Sequence, residues 1–140
     1  MKKVTIIEIA VLIIFIIAVI IFLAPYFIKE KQDMIISRIK ASNAIFISKT
    51  IEEFAKDKNA KPSDISKKVI DILNETEKNP YGTKDAFYVA YKDCTGCTKV
   101  ESDDNLRMVI ITTFNKEGEL VARTVINPPS YVTYYKENKD

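Results

Sequence analysis

The chain opens with an apolar pattern that changes to an amphipathic one after residue 28. Residues 4–28 are almost entirely apolar and contain one charged side chain, Glu8. A helix of that length is about 37 Å long, and the hydrocarbon core of a bilayer is about 30 Å thick. We therefore predict a membrane-spanning helix over residues 4–28.

The pattern beyond Ile28 predicts that this helix continues outside the membrane. Charged residues become frequent over 29–58, yet one stripe recurs at spacings of three and four: Ile36, Ile39, Asn43, Ile47, Ile51 and Phe54. Such a stripe is typical of a solvated helix that packs one face on a domain. Pro25 would bend the helix rather than end it, and the segment from Asn59 to Pro62 would end it.

A shorter helix should follow, with Ser63 as its N-cap and Asp64 at the positive end of its dipole. Its predicted buried face is Ile65, Val69, Ile72 and Leu73. It should end by the turn-forming sequence Asn79-Pro80-Tyr81-Gly82, because proline and glycine there interrupt a helix.

The remainder predicts strands at 86–91, 106–114, 119–126 and 131–135, with a hairpin turn at 115–118. Leu106, Met108, Ile110 and Phe114 alternate onto one face of the second strand. Two helices followed by strands indicate an α+β fold. We expect a long N-terminal helix, a membrane half plus an amphipathic half, packed on a small antiparallel sheet of roughly three or four strands. Residues 59–140 would form the globular head, completed by 29–58.

Composition narrows the function classes. The 140 residues carry a net charge of +2 of mixed sign, which gives no direct signal of a nucleic-acid surface. The sequence has no His, the commonest acid–base group and a common zinc ligand. No serine–histidine–aspartate set, phosphate loop or paired-carboxylate motif is found. We therefore expect a protein that is not an enzyme.

Cys94 and Cys97 form a Cys-x-x-Cys motif. A redox-active motif of this kind should open a helix, and this one lies between predicted strands. In an extracytoplasmic domain a structural disulfide is the default, with a redox-active pair and free thiols as alternatives. The bridge would close a short loop and shape the end of the hairpin.

Three further clusters are candidate sites. Glu101, Asp103 and Asp104 could offer oxygen ligands to calcium, although an ordinary solvated loop has the same composition. Asn74-Glu75-Thr76 fits a glycosylation sequon. The third cluster is a set of tyrosines in the predicted strands, namely Tyr88, Tyr91, Tyr131, Tyr134 and Tyr135. They could form a surface on which ligands stack, or they could pack in the core or against another subunit.

Glu8 is the most informative residue of the apolar run. An ionisable side chain inside a bilayer costs roughly 2.5–3.5 kcal/mol or more, so we expect it to have a partner. Residues 4–28 contain no Lys, Arg or His, which leaves an amino terminus as the nearest candidate. A secretory signal peptide is the alternative, but its apolar core is shorter and ends in a small-residue cleavage site.

The segment from Val4 to Leu12 resembles the amino-terminal signature of type IV pilins and of the pseudopilins of type II secretion. Those proteins carry a short basic leader, a cleavage site before an apolar residue and Glu at the fifth mature position. With residues 1–3 as the leader, the cut falls between Lys3 and Val4, Glu8 is fifth, and Pro25 matches the family's proline at position twenty-two. The sequence departs from the family at Lys3 and Ile17, where members usually have Gly.

The resemblance implies a structural subunit of a type IV pilus-like filament, polymerised through its N-terminal helix. Processing would leave Val4 as the first residue, with a methylated amine. Glu8 would pair with the Val4 amine of a neighbouring subunit. The implied partners are identical or homologous pilin subunits, a prepilin peptidase, membrane-embedded assembly machinery and the lipid bilayer. Major pseudopilins bind calcium through a C-terminal loop, so calcium is the one cofactor to consider.

The same resemblance implies a location. The chain would cross the cytoplasmic (inner) membrane once, with its N-terminus inside and its head extracytoplasmic, before entering a surface or periplasmic filament. Lys2 and Lys3 favour that orientation, although Lys29 and Lys31 reduce the asymmetry of charge. Two functions remain as alternatives within this location, namely a type II secretion pseudopilin and a membrane-anchored binding domain that does not polymerise. A thiol–disulfide exchange enzyme is a third.

Overall fold

The computed structural model describes residues 3–136, which form two helices and five strands. The helices are α1 (Ile6–Lys56) and α2 (Pro62–Thr76), and the strands are β1 (Tyr88–Ala90), β2 (Cys97–Asp103), β3 (Met108–Phe114), β4 (Leu120–Asn127) and β5 (Ser130–Tyr135). The chain divides into two compact units, and the boundary lies inside α1 between Ser37 and Arg38.

The first unit is the N-terminal part of α1. The helix begins at Ile6 and continues through Pro25 without interruption, as predicted. Every large apolar side chain from Ile6 to Ile28 is exposed in the isolated chain, with Ile6 at 86% and Phe22 at 73%. The helix is long and apolar enough to cross a membrane by length and composition. Among the described residues this unit therefore has an exposed apolar surface.

The second unit is an α+β domain built on one five-stranded sheet of order β1-β2-β3-β4-β5. β1 runs parallel to β2, and the other three pairs are antiparallel. The predicted α+β class is confirmed, but the expectation of a wholly antiparallel sheet of fewer strands is wrong. β2 was not predicted, because Lys99, Glu101 and Ser102 give that strand the composition of a loop.

The parallel pairing of β1 and β2 depends on a short return of the chain over residues 91–96. Tyr91 and Gly96 both have positive φ, at 54° and 61°. These left-handed residues turn the chain back to the start of β1, where Tyr88 is paired with Thr98. Because β1 has only three residues, a short loop suffices where parallel strands usually need a long crossover.

The core lies between the helices and one face of the sheet. On α1 the predicted stripe is largely confirmed, since Ile39, Asn43, Ile47 and Phe54 are buried and Ile36 and Ile51 are half-buried. On the sheet the buried side chains are Tyr88, Thr98, Val100, Val109, Ile111, Thr113, Ala122, Thr124 and Ile126. Phe46, which was not singled out from the sequence, is fully buried and stacks on Tyr88 with ring centroids 4.9 Å apart.

The face of β3 that packs in the core differs from the one singled out in the sequence. Met108, Ile110 and Phe114 do share a face, but they are only half-buried, and Leu106 is exposed before the strand begins. The core face instead carries Val109, Ile111 and Thr113. Both faces of this strand carry apolar residues, so period-two alternation alone did not decide which one the helices cover.

The start of α2 also differs from the prediction. Lys61 is the N-cap, Pro62 occupies the first turn, and no side chain of the cap residue bonds to the helix. Ser63 lies inside the helix. The buried face is close to that expected, since Ile65, Val69 and Leu73 are buried together with Ile70, whereas Ile72 is half-buried. Proline at the first helical position moved the cap two residues earlier.

Candidate functional site

The exposed apolar surface of α1 is the first candidate site. Over residues 6–28 the helix presents apolar side chains on all sides, and the most apolar stretch contains no buried residue. Fully burying a large aliphatic or aromatic side chain is worth about 1.5–3 kcal/mol, so a surface of this extent strongly favours a non-aqueous environment. Either lipid or other apolar helices could bury this surface away from water.

Glu8 lies in the first turn of α1, where it has a partner within the chain. Its Oε2 accepts a hydrogen bond from the Thr5 backbone N–H at 2.8 Å, and the Glu8 N–H donates to Thr5 Oγ1 at 3.3 Å. This reciprocal pair is a capping box. A negative side chain is also favourable near the positive end of the helix dipole. Glu8 therefore has a polar partner, Thr5, in its own chain and does not require an amino terminus as its partner.

The capping box was missed in the sequence analysis, although the sequence carries its signal. Thr5 and Glu8 have the Thr-x-x-Glu spacing that marks a helix start, immediately before an apolar run. Within residues 3–136, Oε1 of Glu8 makes no hydrogen bond. One carboxylate oxygen is thus held by the cap and the other is open to a further donor.

The residues predicted for processing and assembly lie in order along the first unit. Lys3 and Val4 precede α1 and are exposed, and Val4 is one helical turn before Glu8. Pro25 lies inside the helix, about 26 Å along the axis from Glu8. Met1 and Lys2, the rest of the predicted leader, lie outside the described residues. The structure therefore joins Thr5 and Glu8 by hydrogen bonds, and leaves Pro25 apart from them.

A chain of buried polar side chains joins the second half of α1 to the sheet. Tyr88 Oη donates to Asn43 Oδ1 at 3.0 Å and also contacts Ser42 Oγ at 3.0 Å. Asn43 Nδ2 donates to Thr113 Oγ1 at 3.0 Å, and Thr113 in turn contacts Thr98 Oγ1 at 2.8 Å. Burial raises the pKa of the Tyr88 hydroxyl far above its usual range, so it stays protonated. These contacts fix the position of α1 over the sheet.

The two cysteines form a disulfide, as predicted for the Cys-x-x-Cys motif. Their Cα atoms are 5.9 Å apart, and Cys97 is buried at the start of β2. The motif is followed by a strand, so it lacks the helix that lowers the thiol pKa in redox-active pairs. The Gly96 N–H donates to the carbonyl of Asn115 at 2.8 Å, which ties this loop to the β3–β4 hairpin.

The three candidate calcium ligands are each engaged in a separate contact. Glu101 pairs with Lys99 at 3.0 Å, and the Glu101 and Asp93 carboxylates raise the pKa of that lysine. Asp103 Oδ1 accepts the N–H groups of Asn105 and Leu106. Asp104 accepts both the N–H and the Oγ–H of Ser63 at 3.0 Å, so it caps α2 from the β2–β3 turn. No group of three or more acidic, His or Cys residues is placed to hold a metal within 3–136.

The tyrosines do not form one surface. Tyr88 is in the core, Tyr91 donates to the backbone carbonyl of Ser102, and the three tyrosines of β5 are exposed. Asn74 of the sequon is also engaged, because its amide donates to the Tyr88 carbonyl at 2.9 Å and accepts from the Tyr88 N–H at 3.1 Å. Asn74 thus has a structural role that its sequon did not suggest.

Compared with known proteins, the chain matches no family model, no curated protein and no solved structure.

Proposed function

We propose that this chain is a structural subunit of a type IV pilus-like filament, with no catalytic role. The observation that carries the proposal is the exposed apolar part of α1, which begins with a carboxylate in its first turn and leads into an α+β domain. In the membrane this surface would face lipid, and in a filament it would face the same helix of other subunits. A helix of this kind suits both environments because neither contains water.

The open oxygen of Glu8 supports a role in assembly. In the proposed filament the helices stack with an axial stagger, and the Val4 amine of one subunit approaches Glu8 of another. Opposite charges about 4 Å apart attract by about 4 kcal/mol at an effective dielectric of 20, before desolvation is subtracted. The pair would therefore contribute more to register than to stability, because a misplaced subunit leaves two charges unmatched. The capping hydrogen bond would hold Glu8 in place for this contact.

The proposed life cycle follows the resemblance of residues 4–12 to type IV pilins. The chain would first cross the cytoplasmic membrane once, with its N-terminus inside. A prepilin peptidase would cut between Lys3 and Val4, and membrane-embedded machinery would then extract the subunit into a surface or periplasmic filament. The contact between subunits is head-to-tail, so it does not close and the polymer can grow.

Two other functions are supported by particular observations. The loop at 79–82 forms a compact turn, in which the Tyr81 N–H donates to Asn79 Oδ1 and Gly82 has φ of +75°. A similar loop precedes the sheet in major pseudopilins, which favours a pseudopilin of type II secretion. The local partner of Glu8 favours the other alternative, an anchored binding domain that does not polymerise, because the cap alone explains that carboxylate.

Substitution of Glu8 distinguishes these possibilities. Glu8→Gln keeps a residue that completes a capping box and removes the charge, whereas Glu8→Ala removes both. If the carboxylate pairs with a neighbour's amine, both variants insert in the membrane but produce few filaments, counted by electron microscopy of the native cell. If Glu8 serves only as a cap, Glu8→Gln assembles normally. Normal filament number and length in Glu8→Gln would overturn the pairing.

A further inference from the structure

The two edges of the sheet are finished differently. At the β1 edge the side-chain amide of Asn74 bonds to both the N–H and the C=O of Tyr88, at 3.1 and 2.9 Å. The amide thus occupies the positions that a neighbouring strand would take. β1 is also only three residues long. This edge is closed to further strand pairing.

The β5 edge is open along its length. The Lys136 N–H donates to the Val121 carbonyl at 3.0 Å, and alternation along an antiparallel pair then directs the backbone groups of Ser130, Val132 and Tyr134 toward β4. The backbone N–H and C=O groups of Tyr131, Thr133 and Tyr135 therefore point away from the sheet. Within residues 3–136 no strand lies beside them, because β5 ends the strand order.

Nothing within β5 discourages pairing. Natural edge strands are usually protected by a charged side chain, a proline, a bulge or short length. β5 has six residues, Ser-Tyr-Val-Thr-Tyr-Tyr, with no charge and no proline. Pro128 and Pro129 precede it and Lys136 follows it, so these protective residues lie at its ends only. Tyr131, Val132, Tyr134 and Tyr135 are each more than half exposed.

A groove beside the open edge extends the same surface. It has a volume of about 380 Å³ and lies between β5 and the second half of α1. Tyr131, Thr133 and Tyr135 form one wall, and Lys40 and Ile47 are among the residues of the other. Side chains of a strand added at this edge would lie over the groove, because residues on one face of a sheet are neighbours across strands.

We propose that β5 pairs with β5 of a second copy of this chain, in antiparallel orientation about a two-fold axis at Thr133. The free backbone groups belong to residues 131, 133 and 135, which are symmetric about that position. Thr133 then pairs with the partner's Thr133, and Tyr131 pairs with the partner's Tyr135, through about six backbone hydrogen bonds. Val132 lies opposite the partner's Tyr134. Each facing pair is of a favourable type, and no like charges meet.

This contact goes beyond the proposed filament. A two-fold contact is closed, so it cannot extend a polymer whose subunits add head-to-tail. It would instead join two subunits through their heads, either in the membrane or between neighbouring filaments. Because it needs neither processing nor assembly machinery, it can be tested on purified protein, and its failure leaves the filament proposal unaffected.

The test uses full-length protein in detergent and two variants that share one substitution. Tyr131→Glu/Tyr135→Glu places like charges in both facing pairs, whereas Tyr131→Lys/Tyr135→Glu places opposite charges there. The surroundings of residue 135, including the nearby Lys40, are the same in both, and α1 is unchanged. Any association through the apolar helix is therefore common to all three proteins. Circular dichroism checks that the variants fold, and sedimentation over a concentration series gives the dimer dissociation constant.

We expect the like-charge variant to raise the dimer dissociation constant by at least about tenfold, and the opposite-charge variant to return within about threefold of the original. Hydrogen exchange at residues 131, 133 and 135 should slow as the dimer forms. A monomer at all concentrations, or equal dissociation constants for the two variants, would overturn the pairing. Protection of those amides in a monomer would also overturn it, since another segment would then occupy the edge.

Discussion

The two parts of α1 belong to one continuous helix but differ in how far their side chains are buried. From Ile6 to Ile28 its large apolar side chains are all exposed, and the Thr5–Glu8 cap supplies side-chain hydrogen bonds at its start. From Ile39 to Phe54 it buries one face against the sheet and contributes buried polar groups, Ser42 and Asn43, to hydrogen bonds with the head. Within the described residues 3–136 the first part leaves its apolar side chains exposed, whereas the second part buries its apolar face in the head.

This difference fits the proposed function, in which one part of the helix moves from lipid to the filament core and the other part stays with the head. An all-round apolar helix has no preferred face, so it can lie in lipid and later pack among other helices. The second part cannot make that exchange, because buried hydroxyl and amide groups must keep specific partners or lose free energy. We expect substitutions in the two parts to affect different properties, namely the stability of the head and the assembly of the chain.

The largest expected effect is in the core. Phe46→Ala removes a fully buried ring that stacks on Tyr88, and should lower the free energy of unfolding of the head by about 3–5 kcal/mol. The control is Phe22→Ala in the exposed part, which should leave it unchanged. Denaturant titration in detergent, followed by tyrosine circular dichroism, measures both. Equal effects of the two substitutions would contradict the division of α1.

The next effect concerns the buried polar chain. Asn43→Ala leaves the hydroxyls of Tyr88 and Thr113 with fewer partners and should cost about 1–3 kcal/mol. Adding Thr113→Val to that variant should cost less than it does in the original protein, because the two residues are hydrogen-bonded. The four unfolding free energies give the coupling. Additive effects would show that this contact does not hold α1 on the sheet.

A smaller and local effect is expected at the start of the helix. Thr5→Ala removes the hydroxyl that accepts the Glu8 N–H, which should destabilise the first turn by about 1 kcal/mol. Hydrogen exchange of the Glu8 and Ile9 amides, which bond to Thr5, should accelerate severalfold, while unfolding of the head stays the same. Thr5→Ser keeps the hydroxyl and should behave like the original. Unchanged exchange in Thr5→Ala would rule out the cap.

The smallest effect is a pH dependence in the second part of α1. The Lys68 ammonium, 2.7 Å from Glu53, is the main cause that holds the pKa of this carboxyl below its usual value of 4.5. The folded state therefore takes up a proton less readily than the unfolded one. The resulting stability is complete above pH 4.5 and is lost as the pH falls through the lowered pKa. Lys56 also pairs with Glu53, so Lys68→Met should reduce this dependence, worth less than about 1 kcal/mol, without abolishing it, and Lys67→Met should leave it unchanged.

Much of this architecture could be predicted from the sequence, because its signals are local. The apolar run, the stripe from Ile39 to Phe54 and the α+β order each follow from periodicity over one element. The disulfide between Cys94 and Cys97 was expected from the predicted extracytoplasmic location and from the lack of a helix after them. In each case the residues that predict the feature are close together in the sequence and belong to the feature itself.

The parts that were missed depend on contacts between distant segments. β2 was not predicted, because its outward Lys99 and Glu101 resemble a loop until β1 and β3 supply partners. Asp104 caps α2 from 41 residues away, so Ser63 was mistaken for the cap. Asn74 closes the β1 edge through Tyr88, which its sequon did not reveal. The cap at Glu8 is different, since Thr5 gave a local signal that was overlooked.

The most direct test of the filament proposal is on filaments sheared from the surface of the native cell, imaged by cryo-electron microscopy, with the intact mass of their subunits measured. We predict helical filaments whose subunit is this chain, beginning at Val4, with residues 6–28 in the filament core. A subunit that retains Met1 to Lys3 would contradict the proposed processing. Filaments made of another protein, with this chain found only as monomers in the membrane, would contradict the proposed function itself.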